Sequence, residues 1–314
     1  MEIVRLPDVQ PRDRRVAVGT FDGVHLGHRE VIRGADSVLT FDPHPVSVVA
    51  PQHAPKLLTS LPVKAELISA LGVRELIVIP FDAAFAACSA QEFIDEVLVG
   101  ALNAKWVSVG ENFRFGHRAQ GDPQLLARDG RFQTVVHPLL EIDGEVVSSS
   151  HIRGLVLAGE VDQATHFLGA PFQLRGEVVA GDRRGRELGY PTANLIPQET
   201  MVCPGHGIYA CRAYTAATGE YAGAGEQAGA GEQAATGEHA AAVSIGVRPT
   251  FTTGRGELIE AYLLDFDGDL YGQELRLDFL QRLRGERRFQ SAEALVQQMQ
   301  RDAEQTRRVV QAFC

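Results

Sequence analysis

The hydrophobic positions change rhythm about half-way along the chain. In the first half, short apolar runs at 15–21, 37–41, 76–80 and 105–110 are each followed by turn residues and then by a stretch of helical spacing. Runs this short and this continuously apolar predict strands buried on both faces, and their alternation with helices predicts a parallel sheet covered on both sides. The clearest helix start is Ser89, with Glu92 three residues on, a capping box ahead of Phe93, Ile94, Val97 and Leu98. Ligands of such sheets sit beyond the carboxyl ends of the strands.

After about residue 170 the segments 172–179, 207–214, 241–246, 257–265 and 273–282 alternate or run β-branched, with glycine-rich turns between them. That pattern predicts an antiparallel barrel or sandwich. A last helix is expected after Ser291 as N-cap, with Leu295, Val296, Met299, Val309, Val310 and Phe313 on its buried face. A helical connector over 152–167 places the domain boundary near Pro171, giving domains 1–170 and 171–314. Residues 216–239 fit neither rhythm. They form four hexads (AATGEY, AGAGEQ, AGAGEQ, AATGEH) with no Val, Ile or Leu to bury, which rules out a β-helix and predicts a flexible surface insertion between two strands.

Composition narrows the function. A chain of 314 residues with 45% hydrophobic residues has material for two ordinary cores. A net charge of −10 excludes a protein that clamps nucleic acid over a broad face, but leaves room for a small anion held by a local cluster of donors. No run approaches the ~20 apolar residues that span a bilayer, and the N-terminus shows no signal-peptide pattern, so a cytoplasmic protein without a membrane partner is expected. The cysteines at 88, 203, 211 and 314 form no CxxC pair, and neither structural zinc nor a disulfide framework is expected.

Two clusters carry chemistry. The first, 19–28, follows the first strand and opens a helix. Gly19 and Gly23 let the backbone approach a ligand closely, and a helix start offers N–H groups suited to phosphate. His25 and His28 are three apart and can face one ligand, donating hydrogen bonds to a phosphorus centre that gains negative charge. A metal pair is the alternative, weakened by the lack of a nearby carboxylate or cysteine to complete a ligand set. The second cluster, 181–195, gathers glycines and arginines in a loop and suits an anion, although a solvated basic hairpin has the same composition. Thr192 and Asn194 are two apart, so on a strand both point to one face, where two neutral oxygens can hold Mg²⁺.

Gly19-Thr20-Phe21-Asp22-Gly23-Val24-His25-Leu26-Gly27-His28, with Thr40-Phe41-Asp42-Pro43-His44-Pro45 downstream, resembles the HxGH nucleotidyltransferase superfamily, in the form found in prokaryotic bifunctional riboflavin kinase/FMN adenylyltransferases. The block 110–116 resembles that family's flavin and nucleotide loop, and Ser148-Ser149-Ser150-His151-Ile152-Arg153 its ATP-phosphate block. Asn112 stands where Asp is common, and Ser150-His151 where Thr-Arg is common. In the second half, Pro191-Thr192-Ala193-Asn194, Ile245 to Phe251 and Glu257 to Gly272 resemble the riboflavin kinase part, with Ser244 where Asn is frequent.

The resemblance implies an α/β nucleotidyltransferase domain followed by a small antiparallel β-barrel kinase domain with a C-terminal helix. It implies phosphorylation of riboflavin with MgATP and adenylylation of FMN to FAD. Gly19, Phe21, Asp22, Gly23, His25, His28, Ser149, Ser150 and Arg153 would bind ATP for adenylyl transfer, with His25, His28 and Arg153 catalytic. Asn112, Phe113, Arg114 and Phe115 would hold the flavin, with simple core packing the alternative for Phe113 and Phe115. Gly181, Arg184, Gly185, Gly189, Pro191, Thr192 and Asn194 would bind the kinase ATP, and Thr192 and Asn194 the Mg²⁺. Glu260 matches the catalytic glutamate, with Glu257 the competing base. Two rivals are a nucleotidyltransferase of another specificity fused to a barrel, and a non-catalytic flavin sensor.

Overall fold

The computed structural model describes residues 1–179, 190–215, 237–248 and 256–313. The chain divides into two compact units, Met1–His151 and Ile152–Cys314.

The first unit runs β1 (Glu2–Arg5), β2 (Arg14–Val18), α1 (Leu26–Ile32), β3 (Ser37–Asp42), α2 (Pro45–Val49), α3 (Leu61–Ser69), β4 (Glu75–Pro80), α4 (Ala83–Ala86), α5 (Ala90–Glu92), β5 (Ala104–Gly110), α6 (Pro123–Arg128), β6 (Gln133–His137) and a small hairpin, β7 (Glu141–Ile142) with β8 (Glu145–Val146). Its six-stranded sheet has the order β1-β4-β3-β2-β5-β6, and every pairing is parallel. The apolar runs are continuous because both faces are covered. Val16 and Val18 enter one core with Leu39, Ile77, Phe93 and Val107, while Ala17 enters the other with Val38, Leu76, Ile32 and Ile68. The sheet grows one way from β2 through β3 and β4, and the other way through β5 and β6. The crevice of this switch point therefore opens at the carboxyl ends of β2 and β5.

At the opposite end of the strands, the Arg14 guanidinium pairs with Glu75 at 2.8 Å and also donates to the Leu102 carbonyl. Arg14 is 2% exposed, and Arg12 and Ser37 complete the shell around the Glu75 carboxylate. Burial pushes that carboxyl up, but the hydrogen bonds and charge of Arg14, with Ser37 and Arg12, outweigh it and hold it below the ordinary range. The capping box at Ser89 forms as expected, but the segment it starts continues as a π-helix over Phe93–Ala101. The edge strands β1 and β6 are polar enough to have escaped the pattern.

The division between the units falls inside α7 (Ser149–Ala158), which is followed by α8 (Val161–Leu168). Gly159, at φ +81°, breaks the expected single connector in two. The second unit is a closed antiparallel barrel of β9 (Phe172–Val179), β10 (Ala193–Leu195), β11 (Gly207–Thr215), β12 (Gly237–Arg248), β13 (Gly256–Leu263) and β14 (Glu274–Arg284), ordered β10-β13-β12-β11-β14-β9. Its interior is filled by alternate residues such as Leu174, Tyr209, Val243, Ile259, Leu277 and Phe279. Ala210, Ala240 and Ala242 leave room on the outside of β11 and β12, over which α9 (Ala292–Ala312) packs.

Two expectations are corrected here. Phe313 is 45% exposed, whereas Asp302, Ala303 and Thr306 are buried on α9 with Val310. Asp302 escapes a hydrophobic reading because Arg284 on β14 neutralises it at 2.7 Å and Gln298 donates to it. The insertion is also shorter than its repeats suggest. Gly237, Glu238 and His239 belong to β12, paired with Thr215, Tyr214 and Ala213, so the fourth hexad ends inside a strand. Residues 216–236 lie outside the described residues.

Candidate active sites

The first site is a cavity of about 870 Å³ over the switch-point crevice of the first unit. Its lining includes Gly19, Phe21, His25 and His28 after β2, Asn112, Phe113, Arg114 and Phe115 after β5, and Ser149 and Ser150 at the start of α7. Phe41, Phe81 and Phe85 add an apolar wall, and His44, whose Nδ1 accepts the Val46 N–H, also lines the cavity.

His25 is the N-cap of α1, and its Nδ1 accepts the His28 backbone N–H at 3.2 Å. That bond places the ring proton of neutral His25 on Nε2. The two imidazoles stack with centroids 3.5 Å apart, and the Phe21 ring meets His28 edge-on. Gly27 permits this packing, since a Cβ there would stand 3.3 Å from the His25 ring. Burial lowers the His25 pKa to about 4, helped by nearby Arg29 and opposed by a backbone hydrogen bond. His28 is held well below the ordinary imidazole value, first by burial and then by His25 and Lys64. Both rings are therefore neutral near pH 7. The Nδ1 of His28 is buried without a hydrogen-bond partner.

The turn that carries these rings is locked from behind. Phe21 and Val24 have φ of +48° and +42°, a left-handed backbone unusual for bulky side chains. The Asp22 carboxylate accepts the N–H groups of Leu58 and Thr59, and the Thr59 hydroxyl accepts the Gly23 N–H. Ser149 donates to the Asp22 carbonyl at 2.8 Å. Asp22 and Gly23 thus brace the turn rather than line the cavity, and Phe21 is mostly core, at 1% exposed. Phe115 is likewise core, packed on Phe93, and stacks on the half-buried Phe113. Arg114 and Asn112 are exposed at the rim. Arg153, half-buried, stands one helical turn beyond Ser149 and Ser150 on α7 and is not among the lining residues.

The second site is written on strands. Asn194 on β10 sits directly across from Glu260 on β13, which in turn sits across from Ser244 on β12. Directly opposed residues share a face, with Cβ atoms ~4.5–5.5 Å apart. Asn194 is only 6% exposed, and its Nδ2 donates to the Thr192 carbonyl at 3.5 Å. Glu257 is three residues from Glu260, hence on the other face of β13, and it lines a separate small hollow with His206 and Arg282. Tyr262, two residues beyond Glu260, meets Tyr190 edge-on. Pro191 is exposed. Gly181, Arg184, Gly185 and Gly189 lie outside the described residues, as does the Pro249 to Phe251 block.

Comparison with known proteins matches one family to each half. Residues 8–151 match the FAD synthetase family and residues 168–310 the riboflavin kinase family. The chain is 35% identical over 305 residues to the bifunctional riboflavin kinase/FMN adenylyltransferase of Listeria monocytogenes, covering 93% of this chain and 91% of that protein. It is 34% identical over 307 residues to that of Bacillus subtilis, covering 92% and 90%. The chain belongs to the bifunctional riboflavin kinase/FMN adenylyltransferase family. A crystal structure described as a macrolide-efflux protein from Streptococcus pneumoniae superposes with a TM-score of 0.84 at 29% identity, covering 98% of this chain and 99% of that one. Among the described residues, no helix is long and apolar enough to cross a membrane.

Within the family's FAD synthetase half, the structure also reveals residues that motif reading passed over: Thr59 and Lys64. No motif marks them. The available signal was a lysine on the apolar stripe of α3, where Leu61, Lys64, Ala65 and Ile68 recur at helical spacing.

Proposed function

We propose that the chain makes FMN and FAD in two steps on two domains, 1–170 and 171–314, and that it works in the cytoplasm on small molecules, with neither nucleic acid nor membrane as partner. In the barrel, Glu260 accepts the proton of the riboflavin 5′-hydroxyl as that oxygen attacks the γ-phosphorus of ATP. ADP leaves and FMN forms. Thr192 and Asn194 suit Mg²⁺. Both offer hard neutral oxygens, and the Asn194 amide N–H is already engaged by the Thr192 carbonyl, which leaves Oδ1 as the oxygen for a cation. When bound, the ion would neutralise charge on the ATP phosphates. The 181–189 loop and Pro191 would cradle that nucleotide.

In the α/β domain, an FMN phosphate oxygen attacks the α-phosphorus of a second ATP, and pyrophosphate leaves. His25, through Nε2–H, and His28 donate to the charge that builds on the α-phosphate, and Arg153 with Ser149 and Ser150 holds the phosphates. Asn112, Phe113 and Arg114 receive the flavin at the rim, with Phe115 beneath Phe113. Gly19 allows close approach of the nucleotide.

The observation that carries this reading is that each family-matched half contains its own separate constellation: a neutral imidazole pair in a crevice, and a carboxylate opposed to a buried amide on a barrel wall. A steady-state assay tests it. Riboflavin with MgATP should release ADP, and FMN with MgATP should release pyrophosphate, with CTP inactive in the second reaction. Release of neither product would favour a flavin sensor, and a preference for CTP would favour a different nucleotidyltransferase.

A further inference from the structure

Lys64 is 7% exposed, a rare position for an ammonium group, and it lies behind the histidine turn rather than in the cavity. It reaches from α3, and its Nζ donates to the Thr20 carbonyl at 2.7 Å. That carbonyl also accepts the Thr40 hydroxyl at 3.1 Å, so two elements grip the turn at the residue before the left-handed Phe21. Phe21 then presents its ring edge to His28. The same α3 approach supplies Leu58 and Thr59, which grip Asp22 and Gly23. A buried charge with one hydrogen bond to a neutral carbonyl is costly unless opposite charges compensate it. Here Asp22 and Asp42 face it and favour its charge, while burial opposes that charge more strongly and lowers its pKa.

Resting on the adenylyl-transfer reading above, we infer that Lys64 is a positioning residue for that reaction. It fixes the Thr20–Phe21 turn under His28, and it sets a positive charge behind the imidazole pair, on the side away from the substrate. Its charge does two things. It adds to the field that favours negative charge at the α-phosphorus, and it disfavours a proton on His28 in the free enzyme. The charged and titratable groups facing these two residues are His25 beside His28, and Asp22 and Asp42 beside Lys64. Lys64 touches no substrate in this role, so its loss should appear in turnover more than in binding.

The test compares Lys64→Met and Lys64→Arg with the wild-type full-length chain. For Lys64→Met, kcat for FAD formation from added FMN should fall about 10–100-fold. KM for ATP should change by less than about threefold, and riboflavin phosphorylation in the same preparation should be unchanged. The His28 imidazole titration, followed by its ring-proton NMR signal and assigned with His28→Gln, should move up in Lys64→Met. Lys64→Arg should restore both the turnover and the titration midpoint. A packing role alone would lower the thermal midpoint without moving the titration.

The inference is overturned by Lys64→Met turnover within about threefold of wild type, or by a loss with an unmoved His28 titration. If Lys64→Met does not fold, Lys64→Arg decides. Turnover within about threefold supports the role of the charge, and a folded Lys64→Arg with a hundredfold loss overturns it. A wild-type chain that makes no FAD from FMN would instead sink the parent reading. The NMR comparison does not depend on that activity.

Discussion

The two halves hold their chemistry in opposite ways. In the first, the candidate groups sit on a turn and a helix start beyond the strand ends, and the turn is kept in shape by a second layer: Asp22 on Leu58 and Thr59, Gly23 on Thr59, and Lys64 on Thr20. In the second, Asn194, Glu260 and Ser244 stand abreast on three adjacent strands, positioned by the ladder itself. A turn of this kind needs many small contacts to hold a left-handed Phe21 and Val24, so its precision is spread over residues that never meet substrate. A strand row needs only correct register, because a slip by one residue would turn every side chain to the other face.

The largest effects should come from the reacting groups and should separate cleanly. Glu260→Gln keeps size and hydrogen bonding but removes the base, so FMN formation should fall by ~10²–10⁴ while FAD formation from added FMN continues. His28→Ala should do the reverse, accumulating FMN and making little FAD. Both variants should keep wild-type thermal midpoints. Loss of both reactions in folded Glu260→Gln would mean that the two halves do not divide the chemistry.

This contrast also explains what could be read from the sequence. The β2 turn and its histidines are contiguous in the chain, so a ten-residue segment announced the first site. The parallel strands were legible because Val16, Ala17 and Val18 are apolar on both faces. Five of the six barrel strands showed through their alternation; the three-residue β10 did not, and Asn194 stands opposite Glu260 only because β10 pairs with β13. The brace was not legible, because Thr59 and Lys64 make contacts that exist only after α3 folds back on the turn. The last helix misled for a related reason. A charge such as Asp302 is buried only because Arg284 arrives from another strand. Phe21 and Asp22 carry a structural share that no motif announces: the Phe21 ring is 1% exposed, and the Asp22 carboxylate accepts the Leu58 and Thr59 N–H groups.

A sharper probe of the first half is its strand base. Arg14→Met leaves the Glu75 carboxylate buried beside Ser37 with only Arg12 to pair it, so the loss should stay below the ~3–5 kcal/mol of a buried charge with no partner left. The turn depends on that sheet, whereas the barrel has its own core. FAD formation should therefore be lost at a lower temperature than FMN formation in this variant, whereas equal shifts would show that the two cores melt together. The Glu75 pKa is depressed in the folded state, so its contribution is present above the unfolded carboxylate value near ~4.3 and fades as pH falls through the folded value. The gap between wild type and Arg14→Met should accordingly narrow below about pH 4.

On the strand row, Asn194→Ala removes one oxygen and leaves the β10 ladder intact. The Mg²⁺ concentration needed for half-maximal riboflavin phosphorylation should rise, by about tenfold if one ligand contributes ~1.4 kcal/mol. FAD formation should hardly change. An unaltered Mg²⁺ titration would take Asn194 out of the metal shell and leave it as a packing partner of Thr192 and Glu260.

The smallest effect is expected between β11 and β12, where the register defines what is dispensable. Thr215 and Gly237 are paired across the ladder, so the two strands are already side by side at the residues that flank 216–236. Replacing 216–236 by Asn-Gly joins them through a two-residue turn whose twist matches the strands. Closing a loop of different length changes stability only slowly, so both activities should stay within about threefold, ~0.7 kcal/mol. Extending the cut to 216–239, as the repeats alone would suggest, is a different experiment. It removes Glu238, which pairs with Arg212 at 3.1 Å, and His239, whose ring meets Phe266 edge-on. A cross-strand pair such as Glu238 with Arg212 contributes ~0.2–1 kcal/mol, and the His239 contact to Phe266, beyond the end of β13, is lost with it. The longer deletion should therefore lower the thermal midpoint of the kinase half, and the shorter one should leave it in place. If both deletions behave alike, residues 237–239 add nothing to β12. If the shorter one already abolishes FMN formation in folded protein, the inserted segment takes part in the kinase site.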